Sequence, residues 1–210
     1  MAELILYGVP QSNLVWATRI VAAEKGIHHR HESALPHSDT IAAISPLGKI
    51  PAMRHGSVGM AESRAIAGYI DSAFDGPSLM PKDPETAALH EQWIMLALTS
   101  VDPVLIRQYV FAFIFPGTPD KTPDQARIDS AMPAVEKQLD LLERGVGEGA
   151  ILQEDFALPD AWVIPMLHYM AILPHWAGLA PSRPHLAKAL DRALARPSVT
   201  ASTPPPLEGA

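Results

Sequence analysis

Residues 45–63 read SPLGKIPAMRHGSVGMAES. Two short strand-like runs flank Gly56, a turn signal, and Pro51 stands between Ile50 and Ala52 where the first run enters a buried sheet. Proline has no N–H to donate, so within sheets it is confined to edges, first residues and bulges. Either this is an ordinary edge, or the absent donor serves something outside the ladder. The stretch closes on "AES", residues 61–63, at the mouth of an apolar-periodic run, SRAIAGYIDSAF. A helix starting there presents unpaired N–H groups and a partial positive charge, which suits a carboxylate.

Working outward, ELILYG reads as a strand, NLVWATRIVAAEKGI as a helix and HHRHES as a second strand, so a strand–helix–strand unit precedes the hairpin and its closing helix. A small mixed sheet with helices is predicted. After DGPSLMPKDPE, rich in Pro, Gly and Asp, strand signals stop and helical patterns take over at residues 86–115, 124–144, 159–173 and 185–195. The predicted organisation is a first domain at 1–79, a linker at 80–87, an all-helical domain at 88–197 and a flexible, proline-rich tail at 198–210.

The chain has 210 residues, 48% hydrophobic and 19% charged, as in a folded globular protein. Its longest strongly apolar run, YVFAFIF at 109–115, is far short of a bilayer span, so no membrane segment is expected. A formal charge of -7 argues against nucleic acid as a partner. The N-terminus lacks a secretory pattern, which makes the cytoplasm the expected location. Cysteine is absent. That removes disulfides, Cys-ligated zinc and a protein thiol nucleophile, so any sulfur chemistry needs a thiol from a ligand.

The segments SPLGKIPAM, AESRAIAGYI and FALPDAWVIPML, in this order and spacing, resemble those of cytosolic glutathione transferases, over nearly the whole chain. The likeness is read as one to bacterial, serine-type-like members. It implies an α/β thioredoxin-like N-terminal domain (βαβαββα, with a mixed four-stranded sheet) followed by an all-α C-terminal domain, with glutathione as co-substrate and no metal. It also implies a cis Ile50–Pro51 bond, leaving the Ile50 backbone to pair with the cysteinyl unit as an added strand would. By the same likeness, Ser63 and the helix start hold the γ-glutamyl carboxylate and Glu62 faces the γ-glutamyl ammonium. Lys49 and His37 lie toward the glycyl end.

The chemistry turns on YGVPQSNLVW, residues 7–16. A thiol with a pKa of about 8.5 is mostly protonated at neutral pH, and a hydroxyl donating to sulfur at a helix N-terminus favours the thiolate. Ser12 stands where that helix should begin and is the expected catalytic donor. Asn13 can offer an amide N–H to the sulfur, and Tyr7 resembles the donor of tyrosine-type members. Ser12 acting only as a helix cap is the plainer reading. For the acceptor, a small hydrophobic electrophile, Tyr109 and Phe113 are the expected contacts in the helical domain, although an aromatic stripe at helical spacing more often builds core. Family likeness further implies a homodimer, with Arg64, Tyr69 and Asp102 as interface candidates.

In FALPDAWVIPML, Ala157 replaces the Ser or Thr that relatives pair with the acid three residues on, so half of a reciprocal cap is missing. His28, His29 and His31 resemble a metal cluster on paper, but strand alternation puts His28 on the opposite face, and solvated or edge-strand histidines are expected. Two functions remain: a transferase that ionises glutathione and passes it to an electrophilic carbon, and a noncatalytic binding or regulatory protein that keeps the fold. Zero cysteine argues against the cysteine-type members that work through a mixed disulfide. Dehalogenation, ether cleavage and isomerisation stay open.

Overall fold

The structure, a computed structural model, describes residues 2–207 and divides into two compact units. The first runs to Pro81 and also takes in Arg196–Pro206. Its sheet is built from β1 (Leu4–Tyr7), β2 (His29–Glu32), β3 (Ala52–His55) and β4 (Val58–Ala61), in the spatial order β2-β1-β3-β4. β1 is parallel to β2 and antiparallel to β3, and β4 returns antiparallel along β3. A parallel pair needs a crossover, and α1 (Asn13–Glu24) supplies it.

Strand alternation sorts the residues to two faces. Leu4, Leu6 and Met53 are buried together with Trp16 and Ile20 of α1 and Ile66 and Ile70 of α3 (Ser63–Ala73). The other face carries Tyr7, Ala52 and Ile41 of α2 (Asp39–Ala42), with Ile5, Ala34, Ile44 and Ile50 packed around them. The buried ammonium of Lys25, just past α1, reaches Asp71 of α3 at 3.1 Å and the Pro77 carbonyl at 2.9 Å. Asp71 also accepts the Leu79 amide at 2.9 Å, tying the end of the unit to both helices.

Residues 198–202 depart from the expected loose tail, whose last three residues, 208–210, lie outside the described residues. A short helix, called α10 here because six helices of the second unit precede it, spans Pro197–Thr200 and packs on α1. Arg196 forks onto Glu24 at 2.9 and 3.0 Å, Ser198 donates to the same carboxylate, and the buried Trp16 indole donates to Ser202 at 3.0 Å. A buried indole N–H needs an acceptor, and a small polar residue from the chain end supplies it.

The second unit extends from Lys82 to Ala195. Its first helix begins as α4 (Pro84–Leu96), capped by Asp83, whose carboxylate accepts the Thr86 amide at 2.9 Å. It widens to π-helical winding over Ala97–Val101 and Pro103–Val110 and ends as α5 (Phe111–Ile114). Pro103 cannot donate to the α ladder, and a wider turn is one way to absorb that. The wider winding also brings Arg107 onto Asp102, five residues earlier, at 2.9 Å.

Over Pro84–Ile114 this helix is long and apolar enough to cross a membrane, which the 109–115 run alone did not suggest. Its stripe of Trp93, Ile94, Val101, Leu105, Ile106 and Tyr109 is buried, and the helix packs on α6 (Gln125–Gly147) and α7 (Asp160–Ala171), as a core helix does. α8 (Trp176–Leu179) and α9 (Pro184–Leu194) complete the unit, and Glu143 of α6 caps α9 by accepting the Leu186 amide at 2.7 Å.

Asp160, 2% exposed, accepts the Ala157 amide at 3.0 Å and the Leu152 amide at 2.7 Å. The acid's half of the cap is therefore present, and it reaches beyond the local turn to tie down a second segment.

Candidate functional site

The first unit gathers eight of the ten site candidates. Gly8 follows β1 with φ 141°, a conformation open to glycine, and a Cβ there would come 2.5 Å from Val15 Cγ2 and 3.1 Å from Ile50 Cβ. That close approach seats the β1–α1 loop on the segment before Pro51. The Gly8 amide donates to the Glu32 carbonyl at 3.1 Å, and the Gly8 carbonyl lies 2.9 Å from His31 Nε2. Ser12 follows as the extended N-cap of α1, its amide bonded to the Val9 carbonyl at 3.1 Å.

The Ser12 hydroxyl accepts the Val15 amide at 3.4 Å, a weak cap. Its own proton meets no acceptor among the described residues, and the side chain is half-buried at the helix N-terminus. It can still donate. Asn13 is 3% exposed and engaged within the protein, while Tyr7 packs into the cluster with Ile41 and Ala52. Tyr7 is thus the strand aromatic of the plainer reading.

The Ile50–Pro51 bond is cis. β3 pairs with β1 only from Ala52 onward, and the Ile50 amide and carbonyl enter no backbone–backbone hydrogen bond among the described residues. Gly48, at φ 64°, lies against the His37 ring: a Cβ would be 2.4 Å from His37 Nδ1, and the His37 amide donates to the Gly48 carbonyl at 2.7 Å. His37 itself has φ 63° and is exposed. Lys49 is exposed too, its amide held by Ser45 Oγ at 3.0 Å and its ammonium without an ion-pair partner among the described residues.

Glu62 sits at φ 70° before α3, a strained position for a residue with a Cβ, and its exposed side chain makes no cap bond. Ser63, the first residue of α3, is 4% exposed and already engaged. Exposed donors and acceptors on a constrained backbone are what an extended, charged ligand requires.

The second unit treats its candidates differently. Tyr109 is fully buried, and its hydroxyl is 2.8 Å from His175 Nδ1. Burial pushes its pKa up to about 12, partly offset by the His175 backbone amide. Half-buried Phe113 stacks edge-on against it at 5.3 Å and lies 6.3 Å from the His175 ring. Tyr109 was expected to contact the acceptor; its placement makes it a core residue, because no face of the ring is open. Asp102 is buried and pairs with Arg107, and Tyr69 is 2.8 Å from His55 Nδ1, so both have partners within their own unit.

His28 is exposed, whereas His29 and His31 are half-buried. Among the described residues no group of three His, Asp or Glu is placed to hold a metal. Solvated or edge-strand histidines were expected, and β2 is indeed an edge strand; what the sequence did not show is that His31 there bonds the loop before Ser12. The signal available in advance was the strand–helix–strand pattern, which sets β2 parallel to β1; the register then puts His31 opposite Leu6, close to Gly8 just past the end of β1.

Comparison with known proteins accords with this geometry. The family described as "Glutathione S-transferase, N-terminal domain" matches residues 6–78. Glutathione S-transferase F10 of Arabidopsis thaliana is 31% identical over 160 residues, covering 73% of each chain. Glutathione S-transferase 3 of Zea mays is 29% identical over 206 residues, covering 94% of this chain and 92% of its own. Among solved structures, glutathione S-transferase III in its apo form is 31% identical, superimposes with a TM-score of 0.80 and covers 98% of this chain and 100% of that one. The chain belongs to the glutathione S-transferase family. These sequence relatives are plant proteins, so the expectation of bacterial, serine-type-like members has no support from them.

Proposed function

We propose that this glutathione transferase binds glutathione along its first unit and ionises the thiol beside Ser12. The cysteinyl unit pairs with the Ile50 backbone beside Pro51. The γ-glutamyl carboxylate meets Ser63 at the start of α3, and Glu62 faces the γ-glutamyl ammonium. Lys49, with His37 beside it, meets the glycyl carboxylate. The observation that carries this reading is the half-buried Ser12 hydroxyl at the head of a 12-residue helix, with a proton that no described residue accepts. Donated to sulfur, that proton stabilises the anion together with the helix dipole, and each pKa unit is about 1.4 kcal/mol of preference.

The thiol proton leaves to solvent, the sulfur lone pair forms the S–C bond, and a halide or similar leaving group departs with its electron pair. In an addition no group departs: the acceptor's C=C π pair shifts onto its carbonyl as the S–C bond forms, and the resulting enolate takes a proton from solvent. Asn13 is the reserve donor. Phe113, the more accessible of the two aromatics, is the acceptor contact, with Tyr109 behind it. We also infer a homodimer in the cytoplasm.

The test is turnover with glutathione and three electrophiles, an activated aryl chloride, an alkyl iodide and an α,β-unsaturated carbonyl, followed as thioether by mass spectrometry, with light scattering for assembly. Conjugation of at least one, by a particle of twice the monomer mass, is the expected result. Glutathione binding without consumption would favour the noncatalytic reading.

A further inference from the structure

We propose that His31 is a positioning residue for thiol activation, holding the Gly8 peptide so that Ser12 meets the sulfur. This rests on the reading of Ser12 given above. The loop between β1 and α1 has five residues, Gly8 to Ser12, and its entry is fixed at both polar groups of one residue. The Gly8 amide donates to the Glu32 carbonyl of β2 at 3.1 Å, and the Gly8 carbonyl is met by His31 Nε2 at 2.9 Å. β2 therefore grips Gly8 twice, once through its backbone and once through a side chain.

A carbonyl only accepts, so His31 carries its proton on Nε2, and the tautomer is set by the contact. Burial lowers the His31 pKa, the nearby Arg19 charge lowers it further, and the Gly8 bond opposes both. The half-buried ring is therefore biased toward its neutral form. The groups set near it are Arg19 from α1 and His29 from its own strand. Arg19 Nε is itself buried without a hydrogen-bond partner among the described residues.

Removing the donor leaves the Gly8 carbonyl unpaired in a place where a bond is expected, and the loop relaxes. Ser12 is four residues on, tied to this loop through the Val9 carbonyl, so its hydroxyl moves relative to a ligand held at Ile50. Small displacements of a reacting group weigh heavily on rate, about 100-fold for 1 Å.

The experiment compares the full chain with His31→Leu, which keeps bulk without a donor, His31→Gln, whose amide can reach the same carbonyl, Ser12→Ala, and the Ser12→Ala/His31→Leu double variant. The readouts are the ultraviolet thiolate titration of bound glutathione, kcat, and KM for glutathione. His31→Leu is expected to raise the thiol pKa and lower kcat by roughly tenfold while KM stays within about twofold, a fraction of the full misplacement cost. His31→Gln should recover most of both, and in the Ser12→Ala background His31→Leu should add no further pKa shift.

An unshifted thiol pKa in folded His31→Leu, with Ser12→Ala shifted, overturns this proposal alone. So does an equal shift with and without Ser12. An unshifted pKa in Ser12→Ala removes the reading beneath it, and this proposal with it. If His31→Leu does not fold, His31→Gln decides: wild-type pKa and kcat support the donor role, and loss of both in a folded protein contradicts it.

Discussion

The two units place their polar groups differently. In the first, the Ser12 proton, the Lys49 ammonium, the Glu62 carboxylate and the Ile50 backbone are uncommitted among the described residues, while Asn13 and Ser63 of the same site are buried and engaged. In the second, the groups of interest are buried and paired: Asp160 with two amides, Tyr109 with His175, Asp102 with Arg107. Open groups on a stiff backbone belong to binding and chemistry, whereas closed pairs belong to stability. Substitutions in the first unit should therefore change rates more than stability, and those in the second the reverse.

The largest effect should come from Asp160→Ala. It leaves the Leu152 and Ala157 amides without their acceptor, at about 1–3 kcal/mol for each buried unpaired group, so a loss of roughly 3 kcal/mol is expected in urea denaturation. A loss under 1 kcal/mol would break the contrast. Next, Ser12→Ala should cost about 100-fold in kcat/KM, or ~2.7 kcal/mol, as for loss of one donor to a developing anion. Its effect on stability should stay below about 1 kcal/mol, because the bond to Val15 is long.

Tyr109→Phe unpairs His175 and should cost about 1 kcal/mol of stability. It also carries a pH signature. The folded pKa near 12 lies above the ordinary value of 10, so the folded state holds the proton longer, and Tyr109 contributes stability that falls as pH rises from about 10 to 12. The difference in stability between wild type and Tyr109→Phe should shrink over that window. His29, His31 and His168 run the other way, held below the usual value chiefly by burial, so stability should fall as pH drops below about 6.5. The smallest effect is a gain: Ala157→Ser restores the absent half of the cap and should add up to about 1 kcal/mol.

The fold was legible because its signals are local. The turn at Gly56, the proline before β3 and the helical periodicity after residue 84 each depend on a few neighbouring residues, and the cis Ile50–Pro51 bond followed from likeness. What was missed is nonlocal. Ser202 meets Trp16 across 186 residues, and no composition rule marks a small polar chain end as an acceptor for an indole. His31 was placed as a solvated or edge-strand residue, and β2 is an edge strand, but its partner, the Gly8 carbonyl, emerges only once β2 lies parallel to β1. Tyr109 illustrates the opposite error: its spacing was read correctly, but the side of the helix it faces is decided by packing within the helical unit.

The most direct test of the central claim is the pKa of the thiol of bound glutathione, read from thiolate absorbance in wild type and Ser12→Ala. The account predicts a value at least about one unit below the ordinary 8.5 in wild type and a return toward 8.5 in the variant. Equal values in the two proteins, with glutathione bound in both, would contradict it.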